Sequence, residues 1–254
     1  MGFRPPKPKC QCDPSCKRTP LPNSPFCKVH QNNCWRKAPL SDSELPYQPD
    51  EYNKNEGMLY ANNCYAYATG YDELPNDCTK QKCNAPFPQP GLSSGHVPWS
   101  KVDGKRCPDV LGRVLGDIPG SYLARFTQKC KPGMRKIAFH VDPKRDYHVT
   151  RQDIPRKHSL QTNGPDRAWW SHKSGSTEVK DVDALGRPIY DPRLAQFHTE
   201  DGELQYIHFC DYVCIPEKKP RLTRGSSRRR ARTKRTTLRK RVSKGTHKRL
   251  RTMK

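Results

Sequence analysis

Asn62-Asn63-Cys64-Tyr65-Ala66-Tyr67-Ala68 is the stretch on which the reading of this chain turns. An asparagine ahead of a run of helix-compatible residues is an N-terminal cap, so residues 60–67 read as an amphipathic helix start with Asn62 or Asn63 capping it. Cys64 then stands at a helix N-terminus, where unpaired N–H groups and the helix dipole favour the thiolate, the form that attacks carbonyls. Downstream, two histidines lie in strand-like contexts, Asp146-Tyr147-His148-Val149-Thr150 and Trp169-Trp170-Ser171-His172. An imidazole beside the thiol could act as base, and a second polar group could fix its tautomer. The residues therefore predict a thiol hydrolase with Cys64 as nucleophile, His148 as base and His172 as the orienting residue. The plain alternatives are a buried helix cysteine and a surface histidine in a turn.

The surrounding sequence supplies the rest of a core over residues 58–216. Residues 109–115 read as a second helix, entered through Pro108 and stopped by Gly116. Residues 136–141 read as a strand ended by Pro143, and residues 147–151, 168–172 and 206–213 are further strands, rich in β-branched or aromatic side chains. Helices first and strands later predict an α+β fold with an antiparallel sheet. Trp169 and Trp170 either exclude water from the site or belong to ordinary core. His96 sits in a glycine-containing loop, either at a pocket rim or on a plain surface. Asp181 and Asp183 read as turn chemistry, with no catalytic or calcium role.

Composition shows that not all of the chain can be core. The 254 residues contain 32% hydrophobic side chains and carry a net charge of +23. Residues 218–254 hold 18 of the 48 Lys and Arg and no Asp or Glu, leaving 30 basic against 25 acidic side chains in residues 1–217. A segment with so few apolar groups cannot offset the entropy of folding, so residues 217–254 are expected to be disordered until bound. Arg228, Arg229, Arg230, Arg232, Lys234, Arg235, Arg239, Lys240 and Arg241 make this tail a polyanion binder of the counterion-release type, with nucleic acid the foremost partner. The same run reads as a nuclear import signal.

Twelve cysteines without a recognisable secretion signal shift the expectation from disulfides toward metal and free thiols. Residues 10–34 are too polar and proline-rich to fold on apolar burial. They carry Cys12-x3-Cys16-x10-Cys27-x2-His30, with Cys10 and Cys34 as further candidates. Two close pairs of soft ligands predict a structural zinc site, and a small disulfide knot is the alternative. Residues 35–57 read as a proline-rich linker, which Tyr47 and Tyr52 lay against the core. Cys78 and Cys83 bracket a short loop, Cys210 and Cys214 flank the last strand, and Cys107 and Cys130 are expected to be buried thiols. No apolar run approaches the length of a membrane span, so no membrane partner is expected and the protein reads as not secreted.

Several motifs together resemble a set of proteins from giant double-stranded DNA viruses and some bacteria. They are Asn63-Cys64-Tyr65-Ala66-Tyr67-Ala68, Gln89-Pro90-Gly91-x-x-Ser94-Gly95, Asp146-Tyr147-His148-x-x-Arg151-Gln152-Asp153, Trp170-Ser171-His172-Lys173-x-Gly175 and Asp183-Ala184-x-Gly186. The cysteine-then-histidine order is also similar to the NlpC-like branch of papain-fold amidases and peptidases. That resemblance implies a papain-like core with Cys64, His148 and His172 as its triad, and residues 154–167 as an insertion. The viral resemblance implies a virion or an infected cell, with localisation in the virion, host nucleus or cytoplasm. The alternative function is a non-enzymatic virion structural or DNA-associated protein using the same fold.

Overall fold

Side chains alternate between two unlike faces along residues 134–142 and 146–154, and this hairpin organises the molecule. The computed structural model describes residues 9–10, 16–21, 27–29, 38–76, 78–79, 83, 85–154, 170–199, 202–218 and 222–224. In chain order these form β1 (Leu45–Pro46), α1 (Asp50–Asn53), α2 (Glu56–Ala61), α3 (Cys64–Thr69), α4 (Cys107–Asp117), β2 (Tyr122–Ala124), β3 (Met134–Asp142), β4 (Asp146–Ile154), β5 (Trp170–Lys173), β6 (Val179–Lys180) and β7 (His208–Pro216). The sheet runs β2-β7-β3-β4-β5-β6, antiparallel throughout, and β1 adds in parallel at the end of β4. The architecture is α+β, as the order of elements implies.

Helices cover one face. Ile137, Phe139 and Val141 of β3, Tyr147 and Val149 of β4, and Val213 and Ile215 of β7 pack there against α3, α4 and Trp99. The other face, with Ala138, Trp170, Tyr212 and Cys214, is covered by loops that contribute Phe126, Ile189, Phe197 and Tyr206. Helix α3 is short and buried on every side. Asn63 accepts a hydrogen bond from the Ala66 N–H (3.1 Å) at its start, and Gly70 closes it in the left-handed region at φ 70°. Helix α4 begins two residues before the expected 109–115 and runs on past Gly116 to Asp117.

Residues 38–57 of the expected linker pack against the core, Tyr52 among them as its sequence context implies. Ala38 is fully buried in the loop-covered layer, and Tyr52 stands edge-on to Tyr67 with centroids 5.2 Å apart. At the other end, Leu222 is buried in the helix-side core. Arg224 donates to the carbonyls of Ala61 and Glu73 and to Asn62 Oδ1.

Buried cations hold the loops. The Lys136 amine, on a fully buried residue, donates to the carbonyls of Phe126 (2.9 Å), Gln128 (2.5 Å) and Arg125 (3.3 Å). Lys173 donates to Leu59 and Gly175, Arg135 to Thr69 and Glu217, and Arg113 to Val97 and Pro90. Backbone carbonyls buried without a partner would each cost about 1–3 kcal/mol. Cationic donors meet that need where apolar residues could not, which is how a chain with so few hydrophobic side chains builds loop-covered layers. Burial pushes Lys136 down to about 8 and Lys173 to about 7.

Three disulfides lie among the described residues, Cys78–Cys83, Cys107–Cys210 and Cys130–Cys214. The expectation of buried thiols at Cys107 and Cys130 is corrected accordingly. Cys210 and Cys214, four apart on β7, would share one face of a regular strand. Pairing of β7 with β3 steps from Phe139↔Asp211 to His140↔Phe209, so Cys210 is the extra residue of a bulge. Cys210 therefore turns to the helix side and joins the start of α4, while Cys214 joins the loop before β3 on the other side.

Candidate functional site

Cys64 lies where the sequence places it, at the first position of α3, and its surroundings do not favour a thiolate. The side chain packs in the helix-side core with 5% exposure, its Sγ 4.0 Å from the Tyr147 carbonyl oxygen. Burial, followed by the Asp146 charge, pushes the thiol up to about 12. Desolvation outweighs the helix terminus here because α3 has only six residues and no cation is hydrogen-bonded to the sulfur among the described residues.

His148 sits between Tyr147 and Val149, and strand alternation sends its ring to the opposite face. There its Nε2 lies 2.9 Å from Nδ1 of His172, and the ring contacts Phe197 and Tyr206 of the loop-covered layer. The two histidines are brought together, and Cys64 is not brought to either. The expected Cys64–His148–His172 triad is thus corrected: the sheet stands between nucleophile and base. The Trp170 ring is on the histidine side as core, while Trp169 and most of the 154–167 insertion lie outside the described residues.

A third histidine escaped the sequence reading. His140 of β3 pairs directly with His148 of β4 and shares its face. The β3–β4 hairpin centred on Lys144 was the available signal, since it places residues equally distant from the turn side by side. Carbonyls define the protonation of this layer. Val182 accepts from Nε2 of His172 (2.9 Å), so Nδ1 of His172 carries the lone pair that receives Nε2–H of His148. Pro192 accepts from Nε2 of His140 (2.9 Å). Burial holds His140 and His172 down to about 4, and His148 well below the ordinary imidazole range. Burial thus favours the neutral form of all three rings. Beside His172 opens a cleft of about 830 Å³, bordered by Asp146, Ser174, Lys180, Phe197 and Tyr206.

The other motif residues are joints. Asn63 donates to the Pro88 carbonyl and to Tyr147 Oη, tying α3 to the loop before α4 and to β4. Asp117 accepts from the N–H groups of Gly91 (2.7 Å) and Ser94 (2.8 Å), which shapes the Gln89-to-Gly95 turn. A Cβ at Gly91, with φ 94°, would fall 2.9 Å from Arg113, so only glycine fits there. Exposed His96 simply follows this turn. Arg151 donates to Asp153 (2.7 Å) and stacks over Tyr67 at 3.9 Å, and Gln152 donates to the Ala38 carbonyl. Asp183 accepts from the N–H groups of Leu185, Arg187 and Gln196 and from the Arg187 guanidinium, which is the turn chemistry its sequence context implies.

At the N-terminal end, Cys10, Cys16 and Cys27 bring their sulfurs within 4.8 Å of one another, a group that could hold a metal ion. The cluster packs against Tyr190 of the body. Cys10 thus enters the candidate ligand set. Cys12 and His30, expected as ligands, lie outside the described residues, as do Cys34 and the basic residues Arg228, Arg229, Arg230, Arg232, Lys234, Arg235, Arg239, Lys240 and Arg241. No helix among the described residues is long and apolar enough to cross a membrane.

No protein-family model matches the chain, and no solved structure matches it. Over 150 residues, which make up 59% of this chain and 79% of the other, it is 33% identical to insoluble matrix shell protein 1 of Ruditapes philippinarum.

Proposed function

The chain belongs to the family of insoluble matrix shell protein 1, and on that premise we propose that it is a non-enzymatic structural protein of an oxidising, matrix-type assembly that grips polyanions through its basic end. The observation that carries this reading is the placement of Cys64, enclosed at the helix-side core while His148 and His172 occupy the far face of the sheet. A thiol raised to about 12 with no imidazole beside it among the described residues acts as a packing group. The papain-like comparison has no part in the proposal, because it needs nucleophile and base on one face.

The cystines support an oxidising compartment. Disulfides persist outside the reducing cytosol, so three of them support a secreted or particle-surface protein over the intracellular setting expected from the sequence. A virion, which the viral resemblance implies, is one such assembly. An insoluble matrix, which the relative's name describes, is the one preferred here. Residues 218–254 bind acidic polymers of that matrix by counterion release, and nucleic acid is one polyanion that competes for them. The cysteine cluster holds zinc, since three soft sulfur ligands favour that ion. Cys10, Cys16 and Cys27 supply the thiolates, and the sequence spacing makes Cys12 or His30 the candidate for the fourth ligand.

The test is residue-resolved alkylation of the full-length oxidised protein by a thiol-directed electrophile. Cys64 is expected to react only after denaturant opens the core. Rapid labelling of Cys64 in native protein, slowed by His148→Ala, would overturn the structural reading.

A further inference from the structure

The histidine layer has no part in the function proposed above, and its construction is unusual. His140, His148 and His172 come from three adjacent strands, with exposures of 2%, 1% and 7%. One ring roofs them all: the Phe197 centroid lies 4.8, 5.0 and 5.1 Å from the three imidazoles in that order. Tyr206 adds a ring 5.1 Å from His148. Phe197 and Tyr206 stand on two arms, residues 196–199 and 202–206, bridged at His198 and Gln205.

At two of the three rings the layer is built against another proton. Nδ1 of His172 already receives the His148 N–H, so protonating it sets two N–H groups against each other. Among the described residues Nδ1 of His140 is buried without a hydrogen-bond partner, and a proton there makes a cation with no acceptor among them. The charged groups around the layer offer little compensation. Beside His172 stand Lys180 and Asp183, and Asp183 is already engaged by the Arg187 guanidinium. Asp146 accepts from Tyr206 Oη (3.3 Å), and Asp191 is paired with Arg193 and accepts from Tyr212 Oη. Asp142 accepts from the Gln205 N–H at the rim of the arms, where His198 and Glu203 are also placed. From β7, His208 and Asp211 pair with Val141 and Phe139.

We propose that the layer is an acid-release latch: protonation of its histidines lifts the two arms and uncovers the aromatic layer beneath, while the helix-covered face stays folded. The lifted state binds protons that the closed state cannot, so closure is fully favoured above the ordinary imidazole range and is lost as pH falls from about 6.5 toward 4. Beyond the packing of Phe197 and Tyr206, the arms are held by Gln196–Asp183, Ala184–Gln196, Gln205–Asp142 and Tyr206–Asp146 bonds and an exposed Arg145–Glu203 contact. The helix side keeps its Cys107–Cys210 cystine. The adjoining cleft admits water and protons to His172. This inference does not depend on the structural reading of Cys64.

Hydrogen exchange of the full-length oxidised protein, corrected for intrinsic rates and followed from pH 7.5 to 4, tests the latch. Amides of residues 196–206 are expected to lose at least tenfold protection while residues 64–69 and 107–117 keep theirs. The midpoint should move by at least half a pH unit in His140→Phe, which keeps an aromatic ring but cannot titrate, and in His172→Gln, which retains a donor for Val182. Simultaneous loss of protection in arms and helices, or an unchanged midpoint in both variants, would overturn the proposal.

Discussion

Cys64 and His148 lie on opposite faces of one sheet, although the sulfur of Cys64 is 4.0 Å from the carbonyl oxygen of Tyr147, the residue next to His148. The single-residue step from Tyr147 to His148 reverses the side-chain direction. Proximity along β4 therefore becomes separation across it. A Cys64→Ala change should behave as a core truncation, costing about 1–2 kcal/mol in a urea unfolding curve. His148→Ala should leave the alkylation rate of Cys64 in native protein unchanged.

Leu222 and Arg224 pack on the body, beyond the point at which the tail is expected to begin. Truncation after Arg224 should preserve the melting temperature and abolish salt-sensitive retention on an immobilised polyanion. Truncation after Pro216 should also lower the melting temperature by several degrees, because Leu222 leaves the core and the carbonyls bound by Arg224 lose their donor. Unchanged retention after either cut would place the polyanion surface on the body.

The cystines should differ in weight. Cys107–Cys210 closes a separation of 103 residues and Cys78–Cys83 one of 5. With Cys130–Cys214 in place the first closes an effective loop of about 28 residues, so loop-closure entropy assigns about 3–4 kcal/mol to it and about 2 kcal/mol to the second. Paired Cys→Ala variants compared by denaturant midpoint give the order, and equal losses would contradict it.

Lys136 is the cation whose removal should do most damage. Lys136→Met keeps the aliphatic length and leaves the carbonyls of Phe126, Gln128 and Arg125 without their shared donor. A loss of about 3 kcal/mol is expected, with increased exchange confined first to the loop between β2 and β3. Lys136→Arg should not rescue it, since a planar fork does not fit a site built around a point donor.

Local features were legible from residue order. Asn63 capping α3, the strands of the hairpin, Pro108 in the first turn of α4 and the turn at Asp183 each depend on neighbours a few positions away. The grouping of His148 with His172 was legible as well, since both lie on expected strands. Cys64 misled because the helix-terminus argument treats the thiol as solvated, and desolvation is a property of everything packed around it. His140 was overlooked because its meaning comes from the register of a hairpin and not from its own neighbours.

Residue order alone determined the α+β class, the caps and strand propensities, and the segregation of charge into the last part of the chain, because these follow from backbone preference and composition. Tertiary structure alone decided which face each side chain joined. The bulge at Cys210 sends two cysteines of one strand to opposite layers, and Lys136 and Lys173 find carbonyls on segments that no local pattern links to them. Direction across a sheet and the burial of a polar group are settled by contacts between distant segments, and those contacts exist only once the chain has closed on itself.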